Sequence, residues 1–227
     1  MIDGAHTISG FIFNMDGVIV DTGKYHYLAW RRLANQFGFD FTKEQHEELK
    51  GLSRMASLEK ILEWGDIYMP EAEKMHWADV KNNWYVTLIS NMKPSEILPG
   101  VLFFLRQVRD SGCATALSSA SQNARSVLKS TNLESCFDVI LDGNEVKKQK
   151  PDPSCFLMAA QALRLSPSEC LVFEDSPPGI EAALRGGFTA VGVGKPEDLP
   201  MAHLVINGFE NLTFSILMTQ ILERAES

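Results

Sequence analysis

Four short polar runs carry the residue types that phosphate chemistry uses: Asn14-Met15-Asp16-Gly17, Ser118-Ser119-Ala120-Ser121, Lys150-Pro151-Asp152-Pro153 and Glu174-Asp175-Ser176. Together they hold acids for a divalent cation, an ammonium to neutralise charge and hydroxyls to donate to phosphate oxygens, which is the inventory of phosphoryl transfer. Taken singly each run is ordinary, since an aspartate after a strand commonly forms a turn or caps a helix. Their order along the chain makes the stronger case. Three of the four stand where an apolar stretch ends, and in a doubly wound sheet ligands bind outside the carboxyl ends of the strands. The run at Lys150 is expected at a helix start instead.

The elements that must position these residues are legible as apolar runs. Ile8 to Asn14, Cys113 to Leu117, Phe137 to Leu141, Cys170 to Phe173 and Ala190 to Val193 read as strands buried on both faces. Helical patterns lie between them at Val101 to Asp110, Ala124 to Thr131, Pro153 to Leu163 and Pro177 to Arg185. This alternation predicts an α/β fold with a doubly wound, parallel-sheet, Rossmann-like core. Only helical spacing occurs from about Lys24 to Asn91, carried by Tyr27, Trp30, Leu33 and Phe37, by Leu58, Ile61 and Leu62, and by Met75, Val80, Trp84 and Leu88. An all-helical domain inserted after the first strand is expected, with residues 23–94 forming it and residues 1–22 and 95–227 forming the core. Phe214, Ile216, Leu217, Ile221 and Leu222 predict a last helix covering the sheet.

Composition bounds the function classes. At 45% hydrophobic residues the 227-residue chain can bury a sizeable core. A net charge of −8 argues against a nucleic-acid or anionic-membrane surface, because such surfaces collect Lys and Arg. The cysteines Cys113, Cys136, Cys155 and Cys170 show no zinc-ligand or paired spacing and read as reduced thiols of a cytoplasmic protein. Met1 to Gly10 has no Lys or Arg, and Ile8 to Phe13 is too short for an export signal or a membrane span.

With these residues in view, Phe13-Asn14-Met15-Asp16-Gly17-Val18-Ile19-Val20-Asp21-Thr22 resembles the first motif of the haloacid dehalogenase superfamily. Ser119 resembles its second motif, Lys150 its third and Glu174-Asp175 its fourth. Further stretches are similar to the beta-phosphoglucomutase branch: Tyr25-His26 with Ala29-Trp30, Lys50-Gly51-Leu52-Ser53-Arg54 with Ser57-Leu58, Ser119-Ala120-Ser121 with Asn123, and Gly192-Val193-Gly194 with Pro196-Glu197-Asp198-Leu199. The resemblance implies that the helical insertion is a cap domain. It also implies a mechanism in which the residue at position 14 is the nucleophile and forms an aspartyl phosphate, with Asp16 as general acid and base. Mg2+ would be held by the side chain at 14, the main-chain carbonyl of Asp16 and Asp175, with Glu174 close by, at roughly 2.0–2.1 Å. Ser119 and Lys150 would hold the transferring phosphoryl oxygens. Arg54, Ser121 and Asn123 would grip a second phosphate, and His26, Trp30, Lys50, Gly51 and Lys81 would bind the sugar or couple it to cap closure, which excludes water. The implied partner is a small phosphosugar, with no nucleic acid or membrane, and a monomer is expected because a cap must open and close freely.

Two positions depart from the pattern. Asn14 stands where the resemblance places the nucleophilic aspartate, and a carboxamide is a far weaker nucleophile, so no stable acyl phosphate is expected. The other motif residues are intact, which favours an introduced Asp-to-Asn exchange over a natural protein that has lost catalysis and kept binding. Gln122 stands where the pattern has a lysine beside the second phosphate. The activity implied is interconversion of beta-D-glucose 1-phosphate and glucose 6-phosphate, with a sugar-phosphate phosphatase or a non-catalytic phosphosugar binder as alternatives.

Overall fold

The structure, a computed structural model, describes residues 7–49, 52–146 and 148–225. The chain divides into two compact units, Met1–Asp21 with Lys93–Ser227, and Thr22–Met92. The expected divisions lay after residues 22 and 94, one and two residues further on.

The first unit is built on a six-stranded sheet of β1 (Gly10–Phe13), β2 (Ala114–Ser118), β3 (Val139–Leu141), β4 (Cys170–Glu174), β5 (Thr189–Val193) and β6 (Leu204–Ile206). The spatial order is β3-β2-β1-β4-β5-β6, and every neighbouring pair is parallel. Strand β1, expected from Ile8 to Asn14, is shorter, and β2 and β3 are shifted or trimmed by one or two residues against their apolar runs. The sixth strand was not expected, because its three residues are too short a run to stand out by periodicity.

The helices of this unit are α5 (Val101–Asp110), α6 (Ala124–Ser130), α7 (Ser154–Leu163), α8 (Pro177–Arg185) and α9 (Phe214–Ala225). Successive side chains of a strand point to opposite faces, and β1 shows how that sorts the core. Ile12 joins Ala116, Val172 and Ala190 in a cluster with Phe156 and Ala159 of α7 and Ile180 and Ala183 of α8. Phe11 and Phe13 face the other way. Phe11 lies against Phe104 of α5 and Phe214 of α9, and Phe13 stacks on Phe173 with centroids 4.6 Å apart. The central strands are therefore covered on both faces, as their unbroken apolar character requires.

The second unit contains α1 (Gly23–Gln36), α2 (Lys43–Glu48), α3 (Arg54–Trp64) and α4 (Glu71–Ile89). Thr42 and Gln45 form a reciprocal capping box at the start of α2, and Ser53 accepts from the Ala56 N–H to cap α3. Trp30, Leu33, Leu58, Ile61, Leu62 and Ala78 meet in its core. The buried stripe of α4 is Ala78, Lys81, Tyr85 and Ile89 rather than the residues that carried the periodicity. Met75 is 61% exposed, and Val80, Trp84 and Leu88 are only partly buried. Helix α4 has apolar residues around much of its circumference, so spacing alone does not choose the face that α1 covers. Among the described residues no helix is long and apolar enough to cross a membrane.

Candidate active site

Phe13 is aligned with Leu117 on β2 and with Phe173 on β4, so Asn14, Ser118 and Glu174 fall in one row at the carboxyl ends of three adjacent strands. The Asn14 N–H continues the ladder by donating to the Phe173 carbonyl at 2.9 Å. The chain then turns sharply, and Gly17 sits there at a φ of +73°. A Cβ on Gly17 would overlap the Asp175 carboxylate, so glycine serves both the left-handed backbone and the close approach of that acid.

Glu174 is fully buried and fixed at both of its oxygens. Oε2 accepts from the Asp175 N–H at 2.9 Å, the Ser176 N–H at 3.0 Å and the Ser176 hydroxyl at 2.9 Å, all at the start of α8, where a helix N-terminus favours negative charge. Oε1 takes the Lys150 ammonium in a short charge-assisted bond. Gly179, in the first turn of α8, lies so close that a Cβ there would overlap the Glu174 carboxyl carbon. Lys150 also donates to Asn14 Oδ1 at 3.1 Å. Burial disfavours its charge, but Glu174 holds its pKa above the ordinary lysine value. Burial and the neighbouring Glu174 and Asp16 push the Asp175 carboxyl up to about 7, against the pull of Lys150.

The carboxamide of Asn14 closes the group. Its Nδ2 donates to the Asp16 carbonyl at 2.9 Å and to Asp175 Oδ1 at 3.2 Å. Asn14, the Asp16 carbonyl, Lys150, Glu174 and Asp175 are thus joined through hydrogen bonds. Two of the oxygens expected to hold Mg2+ do converge on one point, but an NH2 group occupies that point, so the residues as they stand do not fit a divalent cation. Among the described residues no three His, Cys, Asp or Glu side chains form a group that could hold a metal ion.

Ser119 stands one residue beyond the row, with its hydroxyl accepting from the Ser121 N–H at 3.1 Å. Ser121 in turn accepts from the Asn123 N–H at 3.2 Å. Behind this loop is a brace that sequence reasoning missed. The Gly143 N–H donates to the Ser121 carbonyl, Asn144 Nδ2 to the Gln122 carbonyl, and Arg125 bonds the Ile140 carbonyl while pairing with buried Asp142. Asp142 and Arg125 are far apart in sequence and no motif joins them. The carboxylate directly after a strand was their one available signal.

In the helical unit, His26, Trp30 and Lys81 come together. Lys81 Nζ is 2.9 Å from His26 Nδ1 and lies over the Trp30 ring at 4.2 Å. Burial, and to a lesser degree Lys81, lower the His26 pKa well below 6.5, so the neutral ring can accept from the lysine. Burial, then Arg54, lower Lys81 to about 7. Tyr85, missed in the sequence, stacks on His26 with centroids 3.9 Å apart and donates to Thr22 Oγ1 at 3.2 Å. Its spacing of four residues from Lys81, one turn along the same helix face, was the signal. Arg54, at the first position of α3, pairs with Asp79 at 3.5 Å. Lys50 and Gly51 lie outside the described residues.

Residues 11–193 match the model of the family described as haloacid dehalogenase-like hydrolase. The chain is similar to the beta-phosphoglucomutase of Bacillus subtilis, 39% identical over 91% of this chain and 92% of that protein. It is also similar to the phosphorylated carbohydrates phosphatase of Thermotoga maritima, 31% identical over 79% of this chain and 82% of that one. The crystal structure of beta-phosphoglucomutase from Clostridium difficile superposes with a TM-score of 0.89 at 41% identity, covering 97% of this chain and all of the other. A match over most of the sequence, on a parallel sheet with its polar residues at the strand ends, makes this chain a member of the haloacid dehalogenase-like hydrolase family.

Proposed function

We propose that this chain is a phosphosugar mutase scaffold, built to interconvert beta-D-glucose 1-phosphate and glucose 6-phosphate or a related hexose phosphate, in which Asn14 stops the covalent step. The observation that carries this reading is the hydrogen-bonded group of Asn14, Lys150, Glu174 and Asp175 at the ends of β1 and β4. Its neutraliser, Lys150, is fixed by a buried carboxylate, as a preorganised electrostatic site requires. Similarity to the Bacillus subtilis mutase supports the same reading.

In this proposal Asp16 is the general acid and base, and Ser119 and Lys150 donate to the phosphoryl oxygens. Ser121 and Asn123 are assigned to binding a second phosphate, and Arg54 is assigned to phosphate binding as well. His26, Trp30, Lys50, Gly51 and Lys81 are assigned to sugar binding. With Asn14 the phosphoryl group has no carboxylate to accept it, so the chain binds without turning over.

The test is Asn14→Asp, assayed with magnesium and beta-D-glucose 1-phosphate. Formation of glucose 6-phosphate, against none from the unchanged chain, supports the mutase. Inorganic phosphate without glucose 6-phosphate selects a phosphatase, a reading favoured by the Thermotoga maritima relative and by the missing cation at Gln122. A substituted protein inert towards a panel of sugar phosphates removes the view that one exchange silenced an enzyme and leaves a phosphosugar binder.

A further inference from the structure

We propose that Asn14 locks its own site against divalent cations through the polarity of its carboxamide. The inference rests on the family reading of this site but concerns a different property from catalysis. Lys150 Nζ lies 3.1 Å from one end of the carboxamide, and an ammonium has only donors, so the end facing it must be the oxygen. That choice fixes the other end. The NH2 points at the Asp16 carbonyl and at Asp175 Oδ1, 2.9 and 3.2 Å away, and satisfies both. These are the oxygens a cation placed there would need, and a group with partial positive charge already lies between them.

For Asn14 to offer its oxygen to a cation, the carboxamide must turn end over end. The NH2 would then meet the Lys150 ammonium, donor against donor. Lys150 has no easy retreat, because Glu174 holds it and is itself held by the Asp175 and Ser176 N–H groups and the Ser176 hydroxyl. The Gly179 backbone lies beside the same carboxyl, which occupies the space a Cβ there would need. An aspartate at position 14 escapes the conflict, since it has an oxygen at each end and can meet the ammonium and a cation together. The exchange of oxygen for NH2 therefore removes a nucleophile and also fills the cation position with a hydrogen-bond donor.

The test is a Mn2+ titration followed by the electron paramagnetic resonance of the free ion, with the unchanged chain, Asn14→Asp, Lys150→Met and the double variant. The unchanged chain is expected to bind Mn2+ roughly 10- to 100-fold more weakly than Asn14→Asp. Lys150→Met removes a positive charge in both backgrounds but frees the carboxamide to turn only where Asn14 is present, so its gain in affinity is larger there. Equal affinity of the unchanged chain and Asn14→Asp overturns the lock, and so does an equal gain from Lys150→Met in the two backgrounds. If Lys150→Met does not fold, the Asn14 side-chain amide resonances serve instead. They are expected to stay in place on addition of Mg2+, and a Mg2+-dependent shift overturns the proposal. Failure of Asn14→Asp to bind any Mn2+ also overturns it and takes the cation out of the reading of the site, whereas loss of the mutase assay alone leaves the lock standing.

Discussion

Asn14 has the shape of an aspartate, and its consequences come from the atoms around it: an ammonium at one end of the carboxamide and two oxygens at the other. The place of this residue, at the end of the first apolar run, was legible in the sequence, but its orientation was not, because orientation depends on Lys150, 136 residues away. The same dependence on distant neighbours governs Gly179. In most helices an alanine is better than glycine by roughly 1 kcal/mol. Here the added Cβ would overlap the Glu174 carboxyl carbon, and Glu174 is pinned by its bonds to Lys150 and the start of α8. Gly179→Ala is expected to lower stability by about 1–3 kcal/mol, as overpacking does. Urea denaturation checks this, and an alanine variant as stable as the parent would show that the carboxyl can move aside.

Strand β1 does most to place the site, and its alternation explains why it was easy to find. Phe11 and Phe13 bury one face and Ile12 the other, so the strand reads as an unbroken apolar run up to the first polar residue, Asn14. Helices α5 and α8 were legible to the residue, since each has apolar positions on one side and a clear stop at Ser111 or Gly186. The buried face of α4 was not legible, because a buried lysine contradicts the usual exposure of that side chain and is explained only by His26 and two aromatic rings supplied from within the helical unit. At the scale of elements, the stack of Phe13 on Phe173 joins β1 to β4, with Phe104 and Phe209 packed around it. Phe173→Ala is expected to cost about 3–5 kcal/mol through lost contact and a residual cavity. The loss should appear in thermal unfolding followed by far-ultraviolet circular dichroism, and a cost below that of an ordinary surface change would show that β1 and β4 do not depend on this stack.

The molecule as a whole carries its optical reporters unevenly: Trp30, Trp64, Trp77 and Trp84 all belong to the unit Thr22–Met92. Tryptophan fluorescence therefore follows the helical unit, while circular dichroism sees both units. That separation allows a test of what burying Lys81 does to stability. Its pKa falls from an ordinary 10.5 to about 7, with burial the main cause and Arg54 the second, while the Trp30 ring beneath the ammonium works in the opposite sense. Below about 7 both the folded and unfolded chains hold the proton, and the full cost of burying the charge is present. Between about 7 and 10.5 the unfolded chain binds the proton and the folded chain does not, so stability rises with pH in that window. The slope from one such group is at most about 1.4 kcal/mol per pH unit. Lys81→Met has no proton to lose and should show a flatter dependence across the same window, with the two curves converging towards the alkaline end once the native lysine is neutral in both states. Urea midpoints measured by tryptophan fluorescence at a series of pH values give both curves. Parallel curves would mean that Lys81 keeps its charge when folded, held as an ammonium over Trp30 with His26 accepting its hydrogen bond.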